Sequence, residues 1–280
     1  MKLTLLGTGG PLPDPTRHGP ATALQIGDAC LLFDAGRGAV LQLVRAGIPV
    51  ERVHPIFVTH HHYDHIGDLA DVILTGWLQG RRCPLRIVGP PGTTSIVTAL
   101  IDHVFEKGIA FRSLGEVAVS WTPVDSTEVT RGLVYDGGNC RVFAEIVVHG
   151  HGLGFPTAFE RRWVCLGYRV EAEDKVVAIS GDAVACEGLD RLARDADALV
   201  QCCYLARPEI STPSFVRLAR DTIACADTVG GIAKQARVKK LVLTHFRAMS
   251  EAMMRSIAED VALDFEGPVV LGTDLTEVLV

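Results

Sequence analysis

One heptapeptide, Thr59-His60-His61-His62-Tyr63-Asp64-His65, constrains this chain more than any other feature. Five side chains able to bind a metal, four His and one Asp, fall within the six residues 60–65. They follow directly on the apolar segment Pro55–Val58, which reads as a strand running into a loop. A loop can aim several neighbouring side chains into one space, whereas the fixed side-chain periods of helices and strands send them apart. Imidazole and carboxylate are ligand types preferred by Zn²⁺, Mn²⁺ and Fe. The bland alternative is a solvated histidine tract, and the apolar strand before it and Ile66-Gly67-Asp68 behind it argue against that.

The rest of the chain alternates β-branched runs with helical patterns, which indicates a single α/β domain over residues 1–280 with layered sheets. Expected strands include Lys2–Leu6, Ala21–Ile26, Cys30–Asp34, Ile56–Thr59, Ala118–Trp121, Arg141–His149 and Lys239–Thr244. Expected helices include Thr93–Phe105, Ser214–Arg220, Thr228–Gln235 and Glu251–Val261. Asp68 is read as the N-cap of the helix that follows it. The balance of 33 acidic against 27 basic residues argues against a surface built wholly to hold nucleic acid. The apolar stretch at Met1–Gly7 is too short for a signal-peptide core, and no run approaches the ~18 apolar residues of a membrane span. These features, with eight cysteines and no Cys-x-x-Cys pair, suit reduced thiols in a cytoplasmic protein without a membrane partner.

His60-x-His62-x-Asp64-His65 resembles the H-x-H-x-D-H signature of the metallo-β-lactamase superfamily. Further segments match that family's pattern in order: Val142 to His149, Ile179-Ser180-Gly181-Asp182, and Leu241 to His245-Phe246. Leu6-Gly-Thr-Gly-Gly and Leu32-Phe-Asp34-Ala-Gly36 match as well, so the resemblance covers essentially the whole chain. It implies an α/β fold of the αββα four-layer sandwich type and a hydrolase with two divalent metal ions, zinc foremost, with Mn or Fe as alternatives. It also implies that His60, His62 and His149 hold one metal, that Asp64, His65 and His245 hold the other, and that Asp182 bridges them. Asp64 would in addition orient the hydroxide that two such ions share. His149 has a rival in His151, which has the same parity on the expected strand, although the upstream spacing favours His149. His151 would then be a substrate-side or supporting group.

Gly7-Thr-Gly-Gly, Arg17-His-Gly-Pro and Leu241-Val-Leu-Thr-His-Phe are most similar to the ribonuclease Z-like branch. Two departures from that branch shape the expected substrate. Its ribonucleases carry a tRNA-gripping arm between the third histidine and the bridging aspartate, an interval of only 33 residues here (182 − 149). They also carry a histidine and an acidic partner at positions that fall on Ile223 and on Cys202 or Cys203. Ile223 cannot stabilise charge or move a proton. Ile and Cys there are read as a wall for the apolar part of a small molecule. The expectation is therefore a small ester-like substrate (a lactone, carboxyl ester, phosphodiester or aryl sulfate), with tRNA disfavoured. A tRNA 3′-processing endonuclease, an iron-dependent redox enzyme and a metal-stabilised binding protein stand as alternatives. Arg17 and His18 are expected to reach the metal mouth, and Asp34 either supports a ligand histidine or merely turns the chain. Trp121 and Trp163 are read as packing residues and Trp77 as a pocket or dimer contact; relatives being commonly dimers, the resemblance implies a homodimer.

Overall fold

The computed structural model describes residues 1–114 and 117–280. Two seven-stranded sheets lie face to face. The first sheet contains β1 (Lys2–Gly7), β2 (Ala21–Ile26), β3 (Ala29–Phe33), β4 (Val53–Phe57), β5 (Leu85–Gly89), β6 (Val124–Glu128) and β14 (Thr276–Leu279), in the order β14-β1-β2-β3-β4-β5-β6. The second contains β7 (Gly132–Asp136), β8 (Cys140–Val147), β9 (Cys165–Ala172), β10 (Lys175–Ile179), β11 (Ala198–Cys202), β12 (Leu241–Thr244) and β13 (Val269–Leu271), in the order β13-β12-β11-β10-β9-β8-β7. Each sheet is antiparallel on one side and parallel on the other: β3, β4, β5 and β6 pair in parallel, as do β10, β11, β12 and β13.

The inner faces supply an apolar layer of Leu3, Leu5, Phe33, Phe57, Tyr168 and Val170, in which Phe33 and Phe57 stack at 5.0 Å. Tyr168 sits at its centre and donates its hydroxyl to the Val58 carbonyl at 2.7 Å, so a fully buried polar atom is satisfied across the sheets. The outer faces are covered by helices. Helices α1 (Ala39–Arg45) and α3 (Leu69–Leu78) bury Leu43, Val72 and Ile73 on the first sheet. Helices α7 (Glu187–Ala193), α9 (Val229–Gln235) and α10 (Glu251–Ala262) bury Leu189, Ile232 and Ile257 on the second. Because central strands are covered on both faces, β3 (Ala-Cys-Leu-Leu-Phe) reads as a continuous apolar run, and β1 and β11 are buried along nearly their whole length with Thr4 and Gln201 as buried polar interruptions. This is the αββα sandwich in one domain.

Three local expectations fail for identifiable reasons. Residues 118–121 form no strand, because the Trp77 indole takes the Ser120 carbonyl at 2.8 Å and packs edge-on against Trp121. The same contact buries Trp77, which is therefore neither a pocket nor a dimer residue. The helix expected over 93–105 is α4 (Thr93–Ala99), which then widens into a π-turn at Leu100–Val104. Asp68 does occupy the N-cap position of α3, but its side chain makes no capping bond there: the carboxylate accepts from the Val40 amide at 3.3 Å and so serves the first turn of α1.

Candidate metal centre

The strands β3, β4, β8, β10 and β12 all end at the same edge of the sandwich, and the residues just past those ends form one buried cluster. Two inter-sheet hydrogen bonds hold that edge together: Leu166 N–H donates to Thr59 O at 2.8 Å, and Phe246 N–H donates to Thr8 O at 2.8 Å. The backbone itself is bent into place. Asp34 and His245 take left-handed φ values of 58° and 62°, and Gly181, just before Asp182, takes 59°. Outside glycine such values are uncommon and cluster at functional sites. Glycine is required beneath the histidine loop for a different reason: a Cβ on Gly36 would run into the backbone carbonyl of Asp64.

His60, His62, His149 and Asp182 form one donor group, and Asp64, His65 and His245 form another. Within each group, ligand atoms lie within 4.8 Å of one another. His62 Nδ1 is 3.0 Å from His60 Nε2 and 3.2 Å from His149 Nε2, while His65 Nε2 is 3.2 Å from His245 Nε2. Asp182 stands between the groups, with Oδ2 3.2 Å from His245 and 3.9 Å from His149, and Oδ1 3.5 Å from His65. Six of these seven side chains are buried, and His62 is exposed. Burial lowers the basicity of His60 and His149, and it holds His62 at about 4, helped by His149 beside it. At His65 burial works the same way, but Asp182 and Asp34 outweigh it and raise the pKa well above the usual value. Burial would raise Asp182, yet His245 and His65 hold it well below the usual carboxylate range.

This donor set fits divalent cations. Imidazole nitrogens converging at about 3 Å, most of them unprotonated, turn lone pairs toward one another, an arrangement a cation between them would stabilise. Asp64 Oδ2 and Asp182 Oδ1 are buried without a hydrogen-bond partner among the described residues and face the same space. The surrounding bonds fix the nitrogen that faces inward. His65 Nδ1–H donates to Asp34 Oδ2 at 2.7 Å, and His149 Nδ1–H donates to Thr222 O at 2.5 Å, which turns each Nε2 toward the cluster as the nitrogen a metal would take. Asp34 also accepts from the Thr59 amide (2.7 Å) and hydroxyl (2.8 Å), so it supports the histidine loop as well as turning the chain.

Strand β8 stops at Val147, so His149 and His151 share no strand parity: they flank Gly150, whose φ is 77°. The turn sends His149 into the cluster. His151 is placed outside it, with Nδ1 accepting from the His149 amide at 3.2 Å and Nε2–H donating to Trp163 O at 3.0 Å. His61 also faces away, to Thr93 Oγ1 at 2.9 Å. Arg17 and His18 do not reach the cluster. The Arg17 guanidinium donates to Thr8 Oγ1 (2.6 Å) and Gly272 O (2.9 Å) and lies over the Phe246 ring. His18 is bound to Asp274 through both its amide and Nδ1 at 2.7 Å. Both residues brace the loop after β1 against the loop before β14.

Residue types alone gave no sign of three side chains that border the cluster. Trp163 lies 4.9 Å from the His62 ring and donates its indole N–H to His149 O at 2.8 Å. Tyr204 lies 6.0 Å from the His245 ring, and Thr59 Oγ1 is 3.0 Å from His60 Nδ1. Only the folded chain brings Trp163 and Tyr204 to this edge.

A family model described as the beta-lactamase superfamily domain matches residues 30–246. The chain belongs to the metallo-β-lactamase superfamily. Within it the chain falls in the ribonuclease Z-like branch. A ribonuclease Z of Mycolicibacterium paratuberculosis is 34% identical over 290 residues, covering 100% of this chain and 98% of the relative. The crystal structure of the short form of human tRNase Z superposes with a TM-score of 0.74 at 23% identity, covering 100% of this chain and 99% of that one. Zinc-bound PqqB from Methylobacterium extorquens superposes with a TM-score of 0.72 at 14% identity, covering 100% of each chain. The last two comparisons bear on the fold alone. Fold, family and donor cluster together make this member of the superfamily a metal-dependent hydrolase whose cluster takes divalent ions.

The expectation of a small-molecule substrate, with tRNA disfavoured, is overturned by the full-length match to a ribonuclease Z. The structure shows why the signals behind it misled. Ile223 is 4% exposed and packs in the core beneath the second sheet with Cys202 and Cys203, so the three form no open apolar wall. The cavity that Cys202 lines together with Asp182, His65 and His245 holds about 30 Å³, room for a water and not for a substrate group. No helix of the described residues is long and apolar enough to cross a membrane.

Proposed function

We propose that this chain is an endoribonuclease of the ribonuclease Z type, hydrolysing a phosphodiester bond at the 3′ side of precursor tRNA. The observation that carries the reading is the full-length 34% identity to a ribonuclease Z, joined to two convergent groups of metal-competent side chains, seven residues in all. Among them His60, His62 and His149 would hold one divalent ion, Asp64, His65 and His245 would hold a second, and Asp182 would serve both, zinc being the foremost candidate. Ions held in this way supply a water of lowered pKa and positive charge at the phosphoryl oxygens.

The chain's own groups set up the reaction around them. Asp64 Oδ2, without a protein partner, is placed to take a hydrogen bond from the attacking water and so to orient it. Water adds to phosphorus, one P–O bond to ribose breaks, and the leaving oxygen needs a proton. Ile223 and Cys202 cannot provide one at this edge. Tyr204 is the candidate donor: its ring flanks His245 at 6.0 Å, and burial raises its phenol pKa above the usual value, Arg247 opposing the shift and Asp64 and Asp182 adding to it. The test is to incubate metal-loaded protein with a 3′-extended precursor tRNA and with its mature form. A single cut in the precursor, lost in His62→Ala and Asp64→Ala variants that keep the native fold, is expected. An intact precursor beside brisk turnover of a simple ester would refute the reading.

A further inference from the structure

Helix α6 (Thr157–Glu160) and the residues beside it place a graded series of aromatic rings between solvent and the donor cluster. Trp163 is tilted against His62 at 4.9 Å, Phe159 is stacked on Trp163 at 5.6 Å with 17° between the planes, and Phe155 meets Phe159 edge-on at 4.9 Å. The inner ring is fixed: the Trp163 indole is held by His149 O, and its carbonyl by His151. The outer rings are open, Phe159 being 44% and Phe155 36% exposed. Two large apolar rings left in water beside a reaction centre are costly to keep without an occupant. The same turn carries Arg161 and Arg162, both exposed, and neither makes an ion pair among the described residues, although most arginines of the second sheet's surface do. Flat apolar faces next to unpaired cations suit a single-stranded nucleic acid, whose bases stack while its phosphates are neutralised. An uncharged apolar ligand would leave the arginines without a role.

From this arrangement we infer that Phe159, supported by Trp163 and Phe155, is a stacking platform for an unpaired nucleobase beside the scissile phosphate, with Arg161 and Arg162 holding the adjoining backbone. This rests on the ribonuclease reading and gives that site a defined base-binding position. It also turns His151 from a rival ligand into a positioning residue, since its imidazole anchors the Trp163 backbone on which the platform is built.

The experiment uses the full-length metal-loaded protein and short 3′-extended RNAs that carry, at each nucleotide flanking the cut in turn, a normal base, 2-aminopurine or an abasic residue. Phe159→Ala should raise KM for the base-bearing RNA roughly 5- to 150-fold, the worth of one base stack. The gap between wild type and F159A should close on one of the abasic RNAs. Fluorescence of 2-aminopurine at that same nucleotide should be quenched on binding to the wild type and recover with F159A, and Phe159→Trp should restore both KM and quenching. Replacing Arg161 and Arg162 by Gln should flatten the salt dependence of binding. Equal KM for wild type and F159A on every RNA, with cleavage intact, would overturn the platform and leave the ribonuclease reading standing. No cleavage or binding of any RNA would overturn both.

Discussion

Asp34→Asn tests how far the donor cluster depends on a residue that need not touch a metal. The substitution keeps side-chain volume, and asparagine tolerates the left-handed φ of 58° at this position, so the backbone should not move. What changes is hydrogen bonding. The carboxylate accepts three donors, the Thr59 amide and hydroxyl and His65 Nδ1–H, at 2.7–2.8 Å. An amide has one accepting oxygen, and if that stays with the Thr59 amide, its NH₂ group faces His65 and the threonine hydroxyl. The hydroxyl can rotate to accept. His65 can accept only by moving its proton to Nε2, the nitrogen that lies 3.2 Å from His245 and 3.5 Å from Asp182. The ligand lone pair is then lost from the group formed by Asp64, His65 and His245, whereas the group built on His60, His62 and His149 keeps its own. Loss of an orienting partner of this kind costs roughly 10- to 100-fold in metal affinity, about 1.4–2.8 kcal/mol. Titrating metal-free protein with zinc against a competing chelator should show one binding step weakened by that factor and the other unchanged. Two steps at wild-type affinity would show that the Asp34 hydrogen bond does not set the His65 tautomer.

Further outcomes follow from the same geometry. His149→Ala should lose bound metal while His151→Ala retains it, measured as metal per chain by emission spectroscopy; equal loss in both would contradict the turn at Gly150. Asp274 accepts from the Thr8 amide and hydroxyl, the His18 amide and Nδ1, and Gln42 Nε2, so Asp274→Ala leaves five donors without it. We expect about 3 kcal/mol less stability in urea unfolding, well under the sum of five orphaned groups because water reaches part of this site; a change below about 1 kcal/mol would argue that the two loops are held by other contacts. Of the eight cysteines only Cys83 is exposed, Cys186 is half-buried, and burial pushes Cys30 up to about 12. A thiol reagent at pH 8 should find one fast equivalent in native protein and eight after denaturation; three or more fast equivalents would mean that the buried strands open readily.

The metal motif was legible because its information is local. Histidines and a carboxylate packed into residues 60–65 after an apolar strand have few other uses, and the later ligands fall in segments of matching pattern. The central strands were legible too, since strands covered on both faces must be apolar along most of their length. Edge strands were not: β6 reads Val-Asp-Ser-Thr-Glu, is solvated along most of its length, and carries no apolar alternation to betray it. The substrate misreading had a related cause. Their positions along the chain suggest a pocket surface for Ile223 and Cys202, yet a buried apolar residue has the same one-letter appearance whether it lines a pocket or fills a core. Trp163 shows the converse. Fourteen residues separate it from His149, and only the hydrogen bond from its indole to the His149 carbonyl brings it over the cluster.

What the residue pattern cannot express is that the site is also a backbone device. Asp34 and His245 directly follow β3 and β12, in opposite sheets, and each carries the chain out of its strand in the left-handed conformation. For a non-glycine residue that conformation costs roughly 1–2 kcal/mol. An ordinary strand exit would send Asp34 away from His65 and His245 away from Asp182. The charged network around the two residues offsets the cost: Asp34 collects three hydrogen bonds, and His245 lies 3.2 Å from Asp182 and 3.5 Å from Asp64. Glycine at either position would relieve the backbone and remove the side chain that makes the bend useful. The two positions therefore hold polar residues at strained angles because the fold that positions the ligands and the chemistry that needs them make opposite demands there, and the hydrogen bonds reconcile them.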